Sequence, residues 1–227
     1  RTHYSEFREF SKLNNIDFII ANSPEMVTQY SRDYSIDVMI VCGYYRILPF
    51  ELISNIQMGV WGIHNSLLPK YRGGSPLVWQ LINDEEFVGS SFFKLTSRVD
   101  DGPILDQVKI NNSAKLTIGE ASDQIEQEWA ARVPALWKNF CNGNIQPSEQ
   151  NHKEATYCTQ RQEKDGQINW NLSTEEILRL INATSEPYSG AYCYFEAEKI
   201  IIWDASIVDD QEIFIAVPGQ ITLLGTE

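Results

Sequence analysis

Of the three histidines in this 227-residue chain, only His64 follows directly on a continuous apolar run, which makes it the first candidate for acid–base chemistry. His3 and His152 stand in polar context and attract no role. His64 opens the loop His64-Asn65-Ser66-Leu67-Leu68-Pro69-Lys70-Tyr71-Arg72-Gly73, and a second, acidic loop follows at Ser97-Arg98-Val99-Asp100-Asp101-Gly102-Pro103. An imidazole can donate to or accept from a reacting group near neutral pH, and a carboxylate can take up a proton, so the two loops together offer a donor and an acceptor. Each has a plainer reading when taken alone. His64 is then a hydrogen-bonded structural histidine and Asp100 a turn residue in solvated chain, as Asp101 is. The sequence shows no Ser-His-Asp arrangement, no phosphate-cradling Gly-x-x-x-x-Gly-Lys and no metal-ligand spacing to compete with this pair.

The elements that must position these loops are legible from hydrophobic periodicity. A helix over 4–13, with Phe7, Phe10 and Leu13 on one face, leads into a strand over 16–20. A second helix over 24–34 leads into a strand over 36–42, and Ser23 before Pro24 fixes its start as N-cap and first helical residue. Continuous apolar runs such as Phe18-Ile19-Ile20 and Val38-Met39-Ile40-Val41 read as buried parallel strands. A short helix over 49–55 precedes a strand over 59–63 that stops at His64. Then come a helix over 77–83, extended segments over 88–95 and 103–110, and a long helix over 118–141 that Pro134 is placed to kink. The expected class is α/β, an open, mostly parallel Rossmann-like sheet. In such sheets ligands bind beyond the carboxyl ends of the strands, where both the His64 loop and the segment Arg46-Ile47-Leu48 fall.

Residues 142–147 are rich in turn formers, and composition shifts after them, which places a domain boundary between 147 and 148. Residues 1–147 carry 13 basic and 17 acidic side chains, and residues 148–227 carry 5 and 14. The second portion holds a helix over 173–183, started by a capping box at Ser173 and Glu176, and strands over 191–195, 199–204 and 218–224. A small β-rich, barrel-like domain fits that order. The whole chain is at net −13, which disfavours a nucleic-acid backbone or an anionic membrane surface as partner. No apolar run is long enough to span a bilayer, and the four separated cysteines read as free thiols of a reducing cytoplasm.

The order His64, Ser66-Leu67-Leu68-Pro69, Arg72-Gly73 and then Asp100-Asp101-Gly102-Pro103 resembles the folate-dependent formyltransferases, among them methionyl-tRNA and nucleotide-sugar formyltransferases. The resemblance extends to Arg161, Asp165-Gly166-Gln167-Ile168-Asn169-Trp170 and Pro187-Tyr188-Ser189-Gly190-Ala191, which look like the start of the C-terminal OB-like domain of the tRNA and sugar branches. It implies a formyltransferase catalytic domain over 1–147 and an OB-like domain over 148–227. It also implies transfer of a formyl group from the co-substrate 10-formyltetrahydrofolate to a primary amine, without a metal. Attack of an amine on the formyl carbon creates an oxyanion and a cationic nitrogen; His64 then stabilises the oxygen and Asp100 relays the amine proton through water. By the same resemblance Arg46, Ile47, Leu48, Thr96, Val99 and Asp100 bind the folate, and Arg72 holds a phosphate or carboxylate of the substrate. Plain packing for Ile47 and Leu48, and an ion pair to the acidic surface for Arg72, are the other readings of those residues.

Two departures stand out. The family pattern has Asn-x-His, the asparagine donating to the formyl oxygen, and here that position is Gly62; Asn65 is the expected replacement donor. The chain also begins after the strand, glycine loop and helix with which the family pattern opens. The acidity of 148–227 makes an amino sugar on a nucleotide, or another small amine, the expected acceptor, with methionyl-tRNA, hydrolysis of 10-formyltetrahydrofolate and non-catalytic folate binding as alternatives. Assembly as a homodimer remains open.

Overall fold

A computed structural model describes residues 4–44, 46–208 and 215–221. The chain divides into two compact units, Arg1–Val60 and Trp61–Glu227.

The first unit contains α1 (Tyr4–Leu13), α2 (Pro24–Asp33), β1 (Met39–Val41) and α3 (Phe50–Asn55). The Ser23 hydroxyl accepts the Met26 N–H at 3.4 Å and Pro24 occupies the first turn, as the sequence requires. α2 and α3 pack together, and Leu52 and Ile56 are buried. Two expectations are corrected here. Residues 16–20 form no strand, and Ile16, Ile19 and Ile20 stand exposed; an apolar run marks a strand only where a neighbour supplies the ladder bonds, and the described residues of this unit supply none. The apolar face of α1 is likewise uncovered, with Phe7, Phe10 and Leu13 all exposed.

In the second unit, β2 (Val60–His64), β4 (Phe87–Lys94) and β5 (Ile104–Asn111) form an antiparallel ladder, with Ile63 opposite Phe92 and Ser90 opposite Val108. Between β2 and β4 lie β3 (Arg72–Gly73) and α4 (Pro76–Ile82). The α/β class holds with both strand senses present: β2, β4 and β5 pair antiparallel, while β3 pairs in parallel with β6 (Tyr157–Cys158) in a separate two-stranded sheet. Continuous apolar runs report burial on both faces of a strand but not its direction, so this mixture is not written in the pattern.

α5 (Ile118–Cys141) covers β4 and β5. Its start is set by a reciprocal box, Thr117 and Glu120 each bonding the other's backbone N–H. The helix continues through Pro134 to its expected end. Beneath it Trp61, Phe92, Trp129 and Phe140 form an aromatic cluster with Trp61 edge-on to Phe140 at 5.3 Å. Each such fully buried side chain contributes about 1.5–3 kcal/mol.

The C-terminal portion contains α6 (Thr174–Thr184) and the hairpin β7 (Ala191–Phe195) with β8 (Glu198–Ile202), closed over a core of Ile168, Ile181 and Ala191. Residues 218–221 take no strand, and 222–224, the remainder of the last expected strand, lie outside the described residues. The compact unit runs across the expected 147/148 boundary, because β6 pairs with β3 and α6 packs on α4. Among the described residues no helix is long and apolar enough to cross a membrane.

Candidate active site

β2 ends at His64 because the chain turns back on itself there: the Ser66 N–H bonds the His64 carbonyl at 2.8 Å and the Leu68 N–H bonds the Ser66 carbonyl at 3.1 Å. A buried polar frame holds this turn. The Ser91 hydroxyl donates to the Ser66 carbonyl at 2.6 Å and accepts from the Leu68 N–H at 3.0 Å and from Gln107 Nε2 at 2.8 Å. Gln80 Nε2 donates to the Asn65 carbonyl at 2.7 Å, while its Oε1 accepts the Gly89 N–H at 3.0 Å. Buried polar groups bonded this fully specify one loop conformation, since any other leaves donors or acceptors dry and unpaired.

The frame presents the His64 ring to the Asp100 turn. Nε2 lies 2.8 Å from the Tyr71 carbonyl, which can only accept, so the proton on that nitrogen is committed to it. Nδ1 faces Asp100 Oδ2 at 3.6 Å, and the two side chains are only 10% and 21% exposed. Asp100 adopts a left-handed backbone, φ +50°, and its Oδ2 also accepts the Gly73 N–H at 2.8 Å. Among the described residues no donor is bonded to Oδ1. Loop closure depends on Gly102, where an added Cβ would lie 1.9 Å from the Lys94 carbonyl oxygen.

Behind the Asp100 turn lies a buried cation. Arg72 is 2% exposed and makes no ion pair among the described residues; its Nε and Nη2 donate to Gln150 Oε1 at 3.2 and 2.6 Å, Nη1 to the Tyr157 hydroxyl at 3.1 Å, and Nη2 to His152 Nδ1 at 3.0 Å. Four of its five N–H donors are thereby engaged. Arg72, His152 and Tyr157, with Ser97, Arg98, Val99 and Asp101, line a cavity of about 480 Å³. Cys158, on β6, donates its thiol to the Arg72 carbonyl at 3.4 Å, and burial together with the Asp100 charge pushes that thiol up to about 11. Burial and a 2.7 Å hydrogen bond to Glu85 raise the Tyr71 phenol to about 12.

The structure brings together His64, Asp100 and Arg72, and it sets Val99 on the cavity wall. Asn65 is exposed just beyond the end of β2, and Gly62 is buried within that strand opposite Phe93. The Thr96 hydroxyl accepts the Arg98 N–H at 3.1 Å and bonds Asp101, which makes Thr96 an organiser of the loop. Arg46, Ile47 and Leu48 lie in the first unit after β1; Arg46 and Ile47 are exposed and Leu48 half-buried. Sequence reasoning passed over Gln150, His152 and Tyr157. They reach Arg72 from the far side of the expected boundary, and nothing in their local pattern marks them. All four cysteines are free, and the described residues contain no cluster of three or more metal-ligating side chains.

Residues 16–134 match the formyl transferase family and residues 161–226 its C-terminal domain. The methionyl-tRNA formyltransferase of Acetivibrio thermocellus is 29% identical over all of this chain and 73% of its own length, and that of Lachnospira eligens is 31% identical over 88% of this chain and 64% of its own. The chain thus spans roughly two thirds of the length of these curated relatives. Among solved structures, the methionyl-tRNA formyltransferase from Clostridium thermocellum superposes with a TM-score of 0.70 at 19% identity, covering 93% of this chain and 92% of that one. A 4-N formyltransferase from Francisella tularensis gives 0.70 at 16% identity over 90% and 84%. HypX from Aquifex aeolicus in complex with tetrahydrofolic acid gives 0.67 at 18% identity over 80% of this chain and 31% of that one. At these identities the structural likeness is one of fold.

Proposed function

The chain belongs to the formyl transferase family, and on that premise we propose that it transfers a formyl group from 10-formyltetrahydrofolate to a primary amine, with His64 and Asp100 as the catalytic pair. The observation that carries this reading is the 3.6 Å approach of His64 Nδ1 to Asp100 Oδ2 at the end of β2. Nε2 is committed to the Tyr71 carbonyl, so Nδ1 is the nitrogen left to face a reacting group.

The amine nitrogen bonds to the formyl carbon, and the carbonyl oxygen takes the electron pair. A proton on His64 Nδ1 stabilises that oxygen, and Asn65 is the second donor, in place of the side chain Gly62 lacks. The nitrogen's excess proton passes through water to the unengaged Oδ1 of Asp100. Collapse breaks the bond to N10 of the folate, and the proton held on Asp100 passes back through water to N10, so that tetrahydrofolate leaves neutral at that nitrogen and Asp100 is again a carboxylate. The cavity beside Ser97, Arg98 and Val99 has the size and polar lining for part of such a ligand. In this reading Val99 on the cavity wall, with Thr96 and Asp100 of the same loop, holds the folate, and Arg72 is a fixed positive charge lining that cavity.

For the acceptor we favour an amino sugar on a nucleotide or a comparable small amine. The support is charge: residues 148–227 hold 5 basic against 14 acidic side chains, a poor surface for a phosphate backbone. Methionyl-tRNA is the second reading, favoured by the names of the relatives at 29–31% identity. Cytoplasmic action follows for either acceptor and suits four free thiols. The test is incubation of the protein with 10-formyltetrahydrofolate and, separately, nucleotide-linked amino sugars and charged initiator tRNA. Formylation of the sugar amine is expected. Turnover on tRNA alone would move the acceptor to the second reading, formate release without acceptor would make the protein a hydrolase, and folate binding with neither would reduce it to a binding protein.

A further inference from the structure

We propose that Gln150 is a positioning residue for this reaction: its buried amide sets the Asp100 turn and thereby the approach of the Asp100 carboxylate to His64. The proposal rests on the formyl-transfer reading for its kinetic consequence but not for its structural one.

Gln150 is 5% exposed and uses every hydrogen-bonding position it has. Nε2 donates to the Asp100 carbonyl at 2.9 Å and to the Gly102 carbonyl at 2.6 Å, and Oε1 accepts from Arg72 Nε and Nη2 at 3.2 and 2.6 Å. A primary amide offers two N–H groups and two lone pairs, so the side chain is saturated. Its two ends join different parts of the site. One grips the acidic turn on both sides of Asp101, and the other grips the guanidinium that projects from β3.

The turn needs such a grip. Asp100 sits at φ +50°, a left-handed backbone that Asp adopts more readily than most side chains but that still lies above the common conformations, so contacts decide whether it is kept. Two contacts do so from opposite sides: Gln150 bonds the Asp100 backbone, and the Gly73 N–H bonds the Asp100 carboxylate at 2.8 Å. Arg72 and Gly73 are neighbours on β3, so the acidic turn is tied twice to one strand, once through the amide and once directly. Without the amide, the backbone carbonyls of Asp100 and Gly102 lose their donor, and the Asp100 carboxylate keeps only the Gly73 bond beside the Thr96–Asp101 tie of the neighbouring residue. The turn then relaxes and Asp100 leaves His64, with its own chemistry intact but misplaced.

Gln150→Glu isolates this role. It keeps the volume and the acceptor for Arg72, and it sets a carboxylate oxygen against the two carbonyls that the amide N–H groups now serve. The experiment records the imidazole ¹⁵N signals of His64 in the full chain, assigned with His3→Gln and His152→Gln, for the unaltered protein, Asp100→Asn, Gln150→Glu and Gln150→Ala. In the same samples it measures thermal melting and formyl-transfer kinetics. In folded Gln150→Glu the His64 signals are expected to move toward their positions in Asp100→Asn. Turnover should fall roughly 10- to 100-fold, a larger change than any rise in KM for 10-formyltetrahydrofolate, which the same turn helps to bind; a loss dominated by kcat is the signature of a misplaced reacting group. Unmoved His64 signals, or moved signals with unchanged kcat, would overturn the proposal. So would an unfolded Gln150→Glu, which would make the amide a general structural element. If the unaltered protein transfers no formyl group to any acceptor, the functional reading fails, and the imidazole signals still decide whether Gln150 places Asp100.

Discussion

Asp100 Oδ2 stands 3.6 Å from His64 Nδ1 while the same oxygen accepts the Gly73 N–H at 2.8 Å. The first distance is longer than a hydrogen bond and the second is an ordinary one, so the carboxylate is anchored to β3 and only faces the imidazole. A His–Asp pair in direct contact would spend its bond in the resting state. The gap seen here leaves Nδ1 free to meet a reacting oxygen, with the negative charge beside it.

Asp100→Asn tests the carboxylate. The amide oxygen can still accept the Gly73 N–H, so the turn and the fold should survive, with melting shifted by no more than a few degrees. Proton acceptance is lost, and kcat should fall by about 10²–10⁴. Steady-state kinetics against 10-formyltetrahydrofolate check this, and a loss smaller than threefold would remove Asp100 from the chemistry.

Asn65→Ala tests the replacement donor. The side chain is exposed, and the tie to Gln80 runs through the Asn65 backbone carbonyl, so stability should change by less than about 0.5 kcal/mol. If the carboxamide serves the oxyanion in place of the missing side chain at Gly62, turnover should drop about 10²–10³. Unchanged turnover would leave His64 as the donor without Asn65.

The sequence carries the elements of this molecule more completely than their assembly. α1 and α5 run over the expected residues, because period, capping residues and breakers are local signals. The strand over 16–20 fails for the opposite reason: a strand exists only when another one pairs with it, and no window of sequence contains its partner. The site divides in the same way. His64 stands out because it follows directly on an apolar run, and Asp100 through the resemblance of the ordered motif from His64 to Asp100-Asp101-Gly102-Pro103 to the family. Gln150, His152 and Tyr157 reach Arg72 across about eighty residues, and their roles come from pairing geometry alone.

Gly102→Ala should destabilise the protein by about 1–3 kcal/mol, the usual cost of forcing atoms into filled space. The contact is with backbone, the Lys94 carbonyl at 1.9 Å from an ideal Cβ, so no side-chain rotation relieves it. Gly43→Ala gives the contrast. Nothing lies within 4 Å of its Cβ, and only its φ of +66° opposes the change, at about 1 kcal/mol. Urea unfolding of both variants checks the order, and a milder effect at Gly102 would mean that the acidic loop is not closed as described.

Ser173→Ala should cost about 1 kcal/mol by removing the cap of α6. The Ser173 backbone N–H and hydroxyl hold the Glu176 carboxyl below its ordinary 4.5. A lowered folded value means that this contribution is fully present above the ordinary value and fades as pH falls through the lowered one. The variant, without the hydroxyl, should therefore lose less on acidification than the unaltered protein. Urea midpoints between pH 6 and pH 3 measure the difference, and parallel curves would refute the capping account.

Cys158 reports on where Asp100 sits without any catalysis. Its thiol is raised from 9.0 to about 11, first by burial and then by the Asp100 charge, so the folded protein holds that proton more tightly than the unfolded chain. The associated stabilisation is complete below the ordinary thiol value and disappears as pH rises toward 11. Thiolate is the reactive form, so at pH 8 iodoacetamide should label the exposed Cys141 and spare Cys158. In Asp100→Asn the charge is gone and burial remains, so labelling of Cys158 should increase yet stay slower than that of Cys141. Peptide mapping by mass spectrometry resolves the two sites, and a Cys158 rate indifferent to Asp100→Asn would place that carboxylate too far from β6 to be the group that faces His64.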